Sequence, residues 1–358
     1  MADTIFGTND SLTVKLWARQ LFEEALKETW FQKFIGEDTS SLIQLKTETQ
    51  KSAGDSIRIG LRMQLTGTGI QGSGTLEGNE ESLTTYSDNV TLNNLRHAVR
   101  WDSGITQQRL AFDLRSEAMT GLKDWWADRF DTSFMNQLAG NTGQADTRFT
   151  GNQAALAPSS GRLLPAGPNS DTTEASLSAT TTFAVNFADI DRCVATARAS
   201  TPPIRPIQIA GSQYYVMFLH PYQVYQIRRN TSTNNFMDIA RQGLAGALTE
   251  AKAAIFEGAL GIYNKVILHE AVRVPIITGT PNSGTASQFR RSVFAGAQAC
   301  CMAFGQAGGT TEMKWREQEF DYGEKVGVKA GSIFGIKKMV FNSQDFGTIA
   351  VPGYAPTP

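Results

Sequence analysis

Apolar and polar residues alternate most strictly in "DSIRIGLRMQL" (55–65), with Ile57, Ile59, Leu61, Met63 and Leu65 on one side and Arg58, Arg62 and Gln64 on the other. Period two predicts a strand. It runs into "TGTGIQGSGTLEG" (66–78), where Gly67, Gly69, Gly72, Gly74 and Gly78 oppose regular structure and predict a flexible tip. The chain returns through "YSDNVTLNNLRHAVRW" (86–101), again rich in strand formers. A lone two-stranded arm is marginal in water, so this one is expected to be stabilised by lying on something else.

Two stretches carry helical spacing. Between residues 9 and 35, Val14, Trp17, Leu21 and Ala25 form one apolar row and Phe22, Leu26 and Trp30 a second, behind the potential caps Asn9, Asp10 and Ser11. This amphipathic arm needs a surface, its own or a neighbour's. Between 105 and 139, Leu114, Ala118, Leu122, Trp125, Phe130, Phe134 and Leu138 form a stripe, with Asp113, Lys123, Asp124, Asp128 and Asp131 off it. A helix of that length spans roughly 50 Å, more than the width of a small domain. Gly121 is placed to bend it and Gly140 to stop it.

From 141 to 182 the composition turns to Gly, Ser, Thr, Pro and Asn, which predicts an irregular surface excursion or short β insertion. Beyond it, helices and strands alternate. A helix is expected from about Phe187 to Ser200, a buried strand at "SQYYVMFLH", and a helix at "PYQVYQIRR" with Pro221 in its first turn. Strands follow at "NKVILHEAVRVP" and "RRSVFAGAQACCMAFG", then a hairpin at "EFDYGEKVGVKAGSIFGIKKMVFN". No repeat of fixed period is present.

The chain's 358 residues exceed one ordinary domain, and 41% hydrophobic residues suffice for a core. Lys plus Arg (33) against Asp plus Glu (34) leaves a net charge of −1, which argues against a dedicated nucleic-acid binder. It leaves room for a protein that merely lines a volume containing nucleic acid. Cys193, Cys300 and Cys301 make no disulfide framework and read as buried small hydrophobes of a reducing compartment. The opening "MADTIFGTND" lacks the features of a signal peptide, and no apolar run is long enough for a membrane span, so a cytoplasmic, soluble chain is expected.

Chemical constellations fail one by one. In "FEGALGIYNKVILHE" (256–270) the glycines are three apart, Lys265 follows Gly261 by four, and the expected order is helix, turn, strand, the reverse of a phosphate loop. His97, His220 and His269 are far apart with no His-x-x-x-His spacing, so no metal site is expected. His269 and Glu270 read as structural or surface residues, and His220 as shaping the start of the following helix. No nucleophile elbow is present, and Asp189 and Asp191 suit a helix N-terminus. Arg58, Arg62, Arg96 and Arg100 invite a phosphate-binding reading, but on alternating strands a solvated or subunit-facing edge fits better. No catalytic residue, cofactor or metal is expected.

What remains is a set of limbs that want contacts a compact monomer cannot supply, and such limbs build symmetric assemblies. The order of arm (1–45), long β arm (46–101), long helix (105–139) and α/β portion carrying "FLHPYQVYQIRR", "FEGALGIYNKVILHEAVRVP" and "RRSVFAGAQACCMAFG" resembles the major capsid proteins of tailed double-stranded DNA bacteriophages, of the Hong Kong 97 type, nearest the coliphage N-four-like group. The resemblance implies an α+β fold in which 46–101 holds the extended E-loop and leads into a peripheral domain. Residues 102–186 would form that domain, with the spine helix at 105–139 and the insertion at 141–182. Residues 187–310 would form an axial domain, and 311–358 would return to the peripheral domain.

It further implies hexamers and pentamers closing into an icosahedral shell around double-stranded DNA, with a portal protein and a decoration protein as partners; no long charged helix precedes Asn9, so a separate scaffold protein or none is expected. Assembly would take place in the host cytoplasm, with no membrane. No Lys lies between Gly54 and Lys123, so crosslinking from the loop tip is not expected. Trp17, Phe22, Arg58, Arg62, Gly67, Gly69, Gly72 and Gly74 are the candidate assembly contacts. An encapsulin-like compartment enclosing a cargo enzyme is the alternative, and a surface adhesin a third reading that the missing signal peptide disfavours.

Overall fold

The computed structural model describes residues 29–47, 55–102, 109, 113–168, 172–209, 211–229, 259–305, 314–322 and 325–357. Two six-stranded mixed sheets carry the fold. With strands numbered along the chain, the first sheet holds β1 (Ile35–Gly36), β2 (Ile43–Lys46), β5 (Asn93–Asp102), β11 (Cys300–Phe304), β12 (Lys314–Phe320) and β13 (Lys325–Lys338). Its order is β1-β2-β11-β13-β12, with β5 along the opposite side of β13. The second holds β6 (Ile207–Ile209), β7 (Ser212–Leu219), β8 (Ala259–Tyr263), β9 (Val266–Glu270), β10 (Phe289–Ala295) and β16 (Thr348–Tyr354), in the order β16-β10-β7-β9-β8 with β6 on β7. A hairpin of β3 (Ser56–Arg62) and β4 (Thr85–Thr91) and a short ribbon of β14 (Val340–Phe341) and β15 (Gln344–Asp345) stand apart.

The long helix α1 (Leu114–Ala139) packs on the first sheet and reaches the second. Asp113 caps its start by accepting from Arg115 N at 3.1 Å, and Gly140 ends it in the left-handed conformation (φ 63). At Gly140 a side chain would also collide with the carbonyl of Leu156. Over 26 residues the helix spans roughly 39 Å. Trp126, not Trp125, is the buried member of the stripe with Ala118, Leu122, Phe130, Phe134 and Leu138, and Asp131, expected off the stripe, is buried.

The second sheet is covered on both faces, which explains the unbroken apolar run "YYVMFL". Val216 and Phe218 face the cluster shared with α1, while Tyr215, Met217 and Leu219 face α2 (Phe187–Ala199) and α3 (Pro221–Arg229). Both helices start where expected. Asn186 and Asp189 form a reciprocal capping box for α2, and His220 Nδ1 accepts from Tyr222 N at 3.2 Å at the start of α3. Burial and the nearby Arg290 push the His220 imidazole down to about 4, so it is neutral there.

Several expected elements take another form. The helix expected over 9–35 does not extend through its described end: Trp30–Phe34 is a 3-10 turn, and β1 and β2 after it are built into the first sheet. The long hairpin 46–101 divides at Leu92, where β4 stops pairing β3 and β5 turns to pair β13 from Asn93 to Asp102. "RRSVFAGAQACCMAFG" is two strands in different sheets. Gly296 sits against the Arg205 carbonyl where the chain crosses over, and Ala297 N donates to that carbonyl at 2.8 Å.

β11 joins the first sheet with β12 and β13, and β16 joins the second. "ALGIYNKVILHE" is a β-hairpin turning at Asn264 and Lys265, both at positive φ, rather than a helix followed by a strand. Gly258 lies outside the described residues.

The insertion 141–182 is a strap rather than a surface excursion. Leu164 N and Ala166 N donate to Ala350 O and Pro352 O at 2.9 and 2.8 Å, and Ile336 N donates to Gly151 O at 2.9 Å. It thereby ties both sheets together. Glu174 from the strap is buried with Arg291 of β10 (Nη2 to Oε1 2.5 Å). The three cysteines are free and buried, and burial pushes the Cys193 thiol up to about 12 and the Cys300 thiol well above its ordinary value.

Candidate assembly surfaces

The β3–β4 hairpin is firmly rooted and bare at its end. At the root, Ile57 and Val90 are buried with Cys301, Ala303, Met339, Phe341 and Phe346. Asp88 pairs with Lys337 and accepts from Val340 N at 3.1 Å, and Leu92 N donates to Asp55 O at 2.8 Å. Apolar side chains at alternate positions are thus held by the body only as far as Leu61. Every residue from Gln64 to Thr85 is exposed, and Leu65, Leu76 and Leu83 show 56, 63 and 57% of their surface. Exposing three leucines on one limb marks an interaction surface rather than a scattered surface residue.

Gly67, Gly69, Gly72 and Gly74 lie in this exposed end, with Gly69 and Gly72 at positive φ (69 and 64) and open space around them. Glu81 gathers the neck of the loop by accepting from Thr66 N (2.8 Å) and Gly67 N (2.6 Å), and these bonds hold its carboxyl below the ordinary range. Arg58 and Arg62 are exposed on β3, Arg58 donating to Asn89 Oδ1 at 3.1 Å. Arg96 and Arg100 are not beside them. They stand on β5, on the face of the first sheet turned away from α1. Trp17 and Phe22 lie outside the described residues.

The sequence reading missed the seat of the lead-in segment. Trp30 N and Phe31 N donate to the Asp131 carboxylate at 3.1 and 3.2 Å, and Arg273 Nη1 stands 3.4 Å from it. A cleft of about 150 Å3 opens beside this joint, lined by Trp30, Met135, Glu270 and Val272 among others. His269 is buried within an aromatic box of Trp30, Phe34 and Phe218.

Burial pushes Asp131 up to about 6, against the lowering by the two backbone donors and Arg273. A carboxyl raised on folding stabilises the fold most below its unfolded value near 4 and progressively less up to about 6. Thermal midpoints of the wild type should therefore carry a term that falls between pH 4 and 6. In Asp131→Asn that term should vanish, leaving a shallower pH slope across the window. An unchanged slope would mean that Asp131 titrates as it does in water.

Among the described residues no three His, Cys, Asp or Glu side chains group as a metal site. No described helix is long and apolar enough to cross a membrane.

A family model described as phage capsid protein matches residues 5–357. The chain is 26% identical over 378 aligned positions to the major capsid protein of Pseudomonas phage KPP25, covering 96% of this chain and 95% of that one. Among solved structures, the capsid of Ralstonia phage GP4 superposes with a TM-score of 0.81 at 30% identity, over 100% of this chain and 99% of the other. The capsid asymmetric unit of cyanophage Pam1 superposes with a TM-score of 0.71 at 19% identity over the whole of both chains, a likeness of fold.

Proposed function

Because the chain belongs to the phage capsid protein family, we propose that its exposed β arm is the limb by which copies of this major capsid protein grip one another. The chain is a structural subunit of the phage capsid, has the α+β fold of the Hong Kong 97 type, and self-associates into the virion shell. The single observation behind the arm's role is the run from Gln64 to Thr85, exposed throughout and carrying three bare leucines on a rooted hairpin. In the finer reading, hexamers and pentamers close an icosahedral head around double-stranded DNA in the host cytoplasm. A portal protein, a separate scaffold protein and a decoration protein complete the set of partners.

The near-neutral charge supports passive containment of the genome. A shell that neutralised many phosphates would hold DNA with an affinity that falls steeply with salt, and a net charge of −1 supplies no such excess. Electron microscopy of purified particles tests the reading. Closed shells containing double-stranded DNA are expected. Shells filled with an enzyme instead would make the protein a cargo compartment, and a purely monomeric protein would overturn self-association itself.

A further inference from the structure

The apolar rows ahead of residue 30 still lack a surface to lie on. Phe22, Leu26 and Trp30 make up the second row, four residues apart. Its last member lines the cleft of about 150 Å3 beside the Asp131 joint, together with Met135 of α1 and Ala271 and Val272 of the loop after β9. That wall is fixed in place. The Trp30 ring stands 5.6 Å from Phe218 and 5.8 Å from His269, centroid to centroid, and its amide donates to Asp131 at 3.1 Å. Val272 shows 74% of its surface, more than any leucine of the β arm.

The place where the chain enters this cleft limits what can fill it. Thr29 is buried and extended (φ −63, ψ 121), so the joint delivers the preceding residues at the cleft itself. Four residues span at most about 14 Å when extended and about 6 Å in a helix. Leu26 is therefore within reach of the Trp30 wall in either form. A segment tethered so closely has an effective concentration near the millimolar range, far above that of a detached partner at micromolar concentration.

Charge agrees with this occupant. Arg273 on the rim is already engaged by Asp128 at 2.6 Å and Asp131 at 3.4 Å. Glu270 is exposed on the same rim and makes no ion pair among the described residues. The cleft thus offers apolar walls beside one uncompensated carboxylate, and Lys27 directly follows Leu26. We propose that the cleft is the seat of residues 22–28 of the same chain, with Leu26 and Phe22 covering Val272 and the Trp30 wall and Lys27 meeting Glu270. Seated there, the row is shielded from water in the single subunit, which keeps the chain from clumping through its arm. The inference does not depend on shell building, which particle assays test separately.

Two measurements on the full-length chain, in the fraction that sediments as single subunits, test this. A zero-length carbodiimide should join Lys27 to Glu270, and mass spectrometry should find the joined peptides in the monomer band of a denaturing gel. Trypsin cleavage after Lys27 reads how often the segment leaves its seat. Val272→Asp sets a carboxylate where Leu26 packs and is expected to speed that cleavage about tenfold, with Val272→Leu no faster than the wild type. Val272 is too exposed for either change to disturb the fold, and circular dichroism checks that. Joined peptides confined to the dimer band would give the cleft to a second copy's arm and overturn the proposal. An absent Lys27–Glu270 peptide, with Val272→Asp cleaved no faster than the wild type, would overturn it as well.

Discussion

Deleting Gly67–Gly78 is expected to give a subunit that folds as the wild type does and closes no shells. The reasons lie at the two ends of the arm. Nothing between Gln64 and Thr85 is buried, so the deletion removes no core contact, and the melting temperature should stay within about 2 °C of the wild type. The root is untouched: Ile57 and Val90 stay in their cluster and Asp88 keeps Lys337 and the Val340 amide. What disappears is Leu76, Glu77 and the reach of the loop. In a closed assembly each such contact is repeated by every copy, so a modest loss per subunit multiplies into loss of the particle. Sedimentation of the purified variant checks this. A normal particle peak would show that the arm is not a contact, and an unfolded subunit would show that it belongs to the core.

Much of the architecture was legible because it is written locally. Asn186 to Ala199 announces its helix through a capping box and an apolar row, and Gly140 announces the end of α1. The run "SQYYVMFL" is continuous because both faces of its sheet are covered. The errors arose where partners lie far apart in sequence. Phe289–Ala295 and Cys300–Phe304 are equally apolar, and nothing within them reveals that one pairs β16 and β7 while the other pairs β13 and β2. Asp131 follows the polar side of its helix until Trp30 and Phe31, a hundred residues earlier, bring their amides to it.

The candidate contacts divide in the same way. The glycine run identified an exposed loop by composition. Arg96 and Arg100 share a sheet with Arg316 and Lys329, more than two hundred residues later, and only strand register brings these together.

Replacing Arg291 by methionine should cost about 3–5 kcal/mol, the range found when one partner of a buried ion pair is removed. Arg291 is 2% exposed and serves three elements at once. Its Nε and Nη2 donate to Glu174 Oε1 at 2.7 and 2.5 Å, fixing the strap to β10. Its Nη1 donates to Ala139 O at 3.3 Å, a carbonyl at the C-terminus of α1 that the helix itself cannot pair, and to Gly140 O at 2.9 Å, which also accepts from Thr142 N. Methionine fills the volume but leaves Glu174 charged, buried and held only by Gly279 N at 2.7 Å. Adding Glu174→Met should return part of the loss, because an apolar pair removes the stranded charge, but not all of it, because Ala139 O loses its Arg291 donor while Gly140 O keeps Thr142 N at 3.0 Å. Urea unfolding of the loop-deleted subunit measures these differences free of assembly. If Arg291→Met and the double variant unfold at the wild-type midpoint, the strap and the helix end are held by packing alone. If the double variant is no better than the single, the cost resides in the helix terminus rather than in the ion pair.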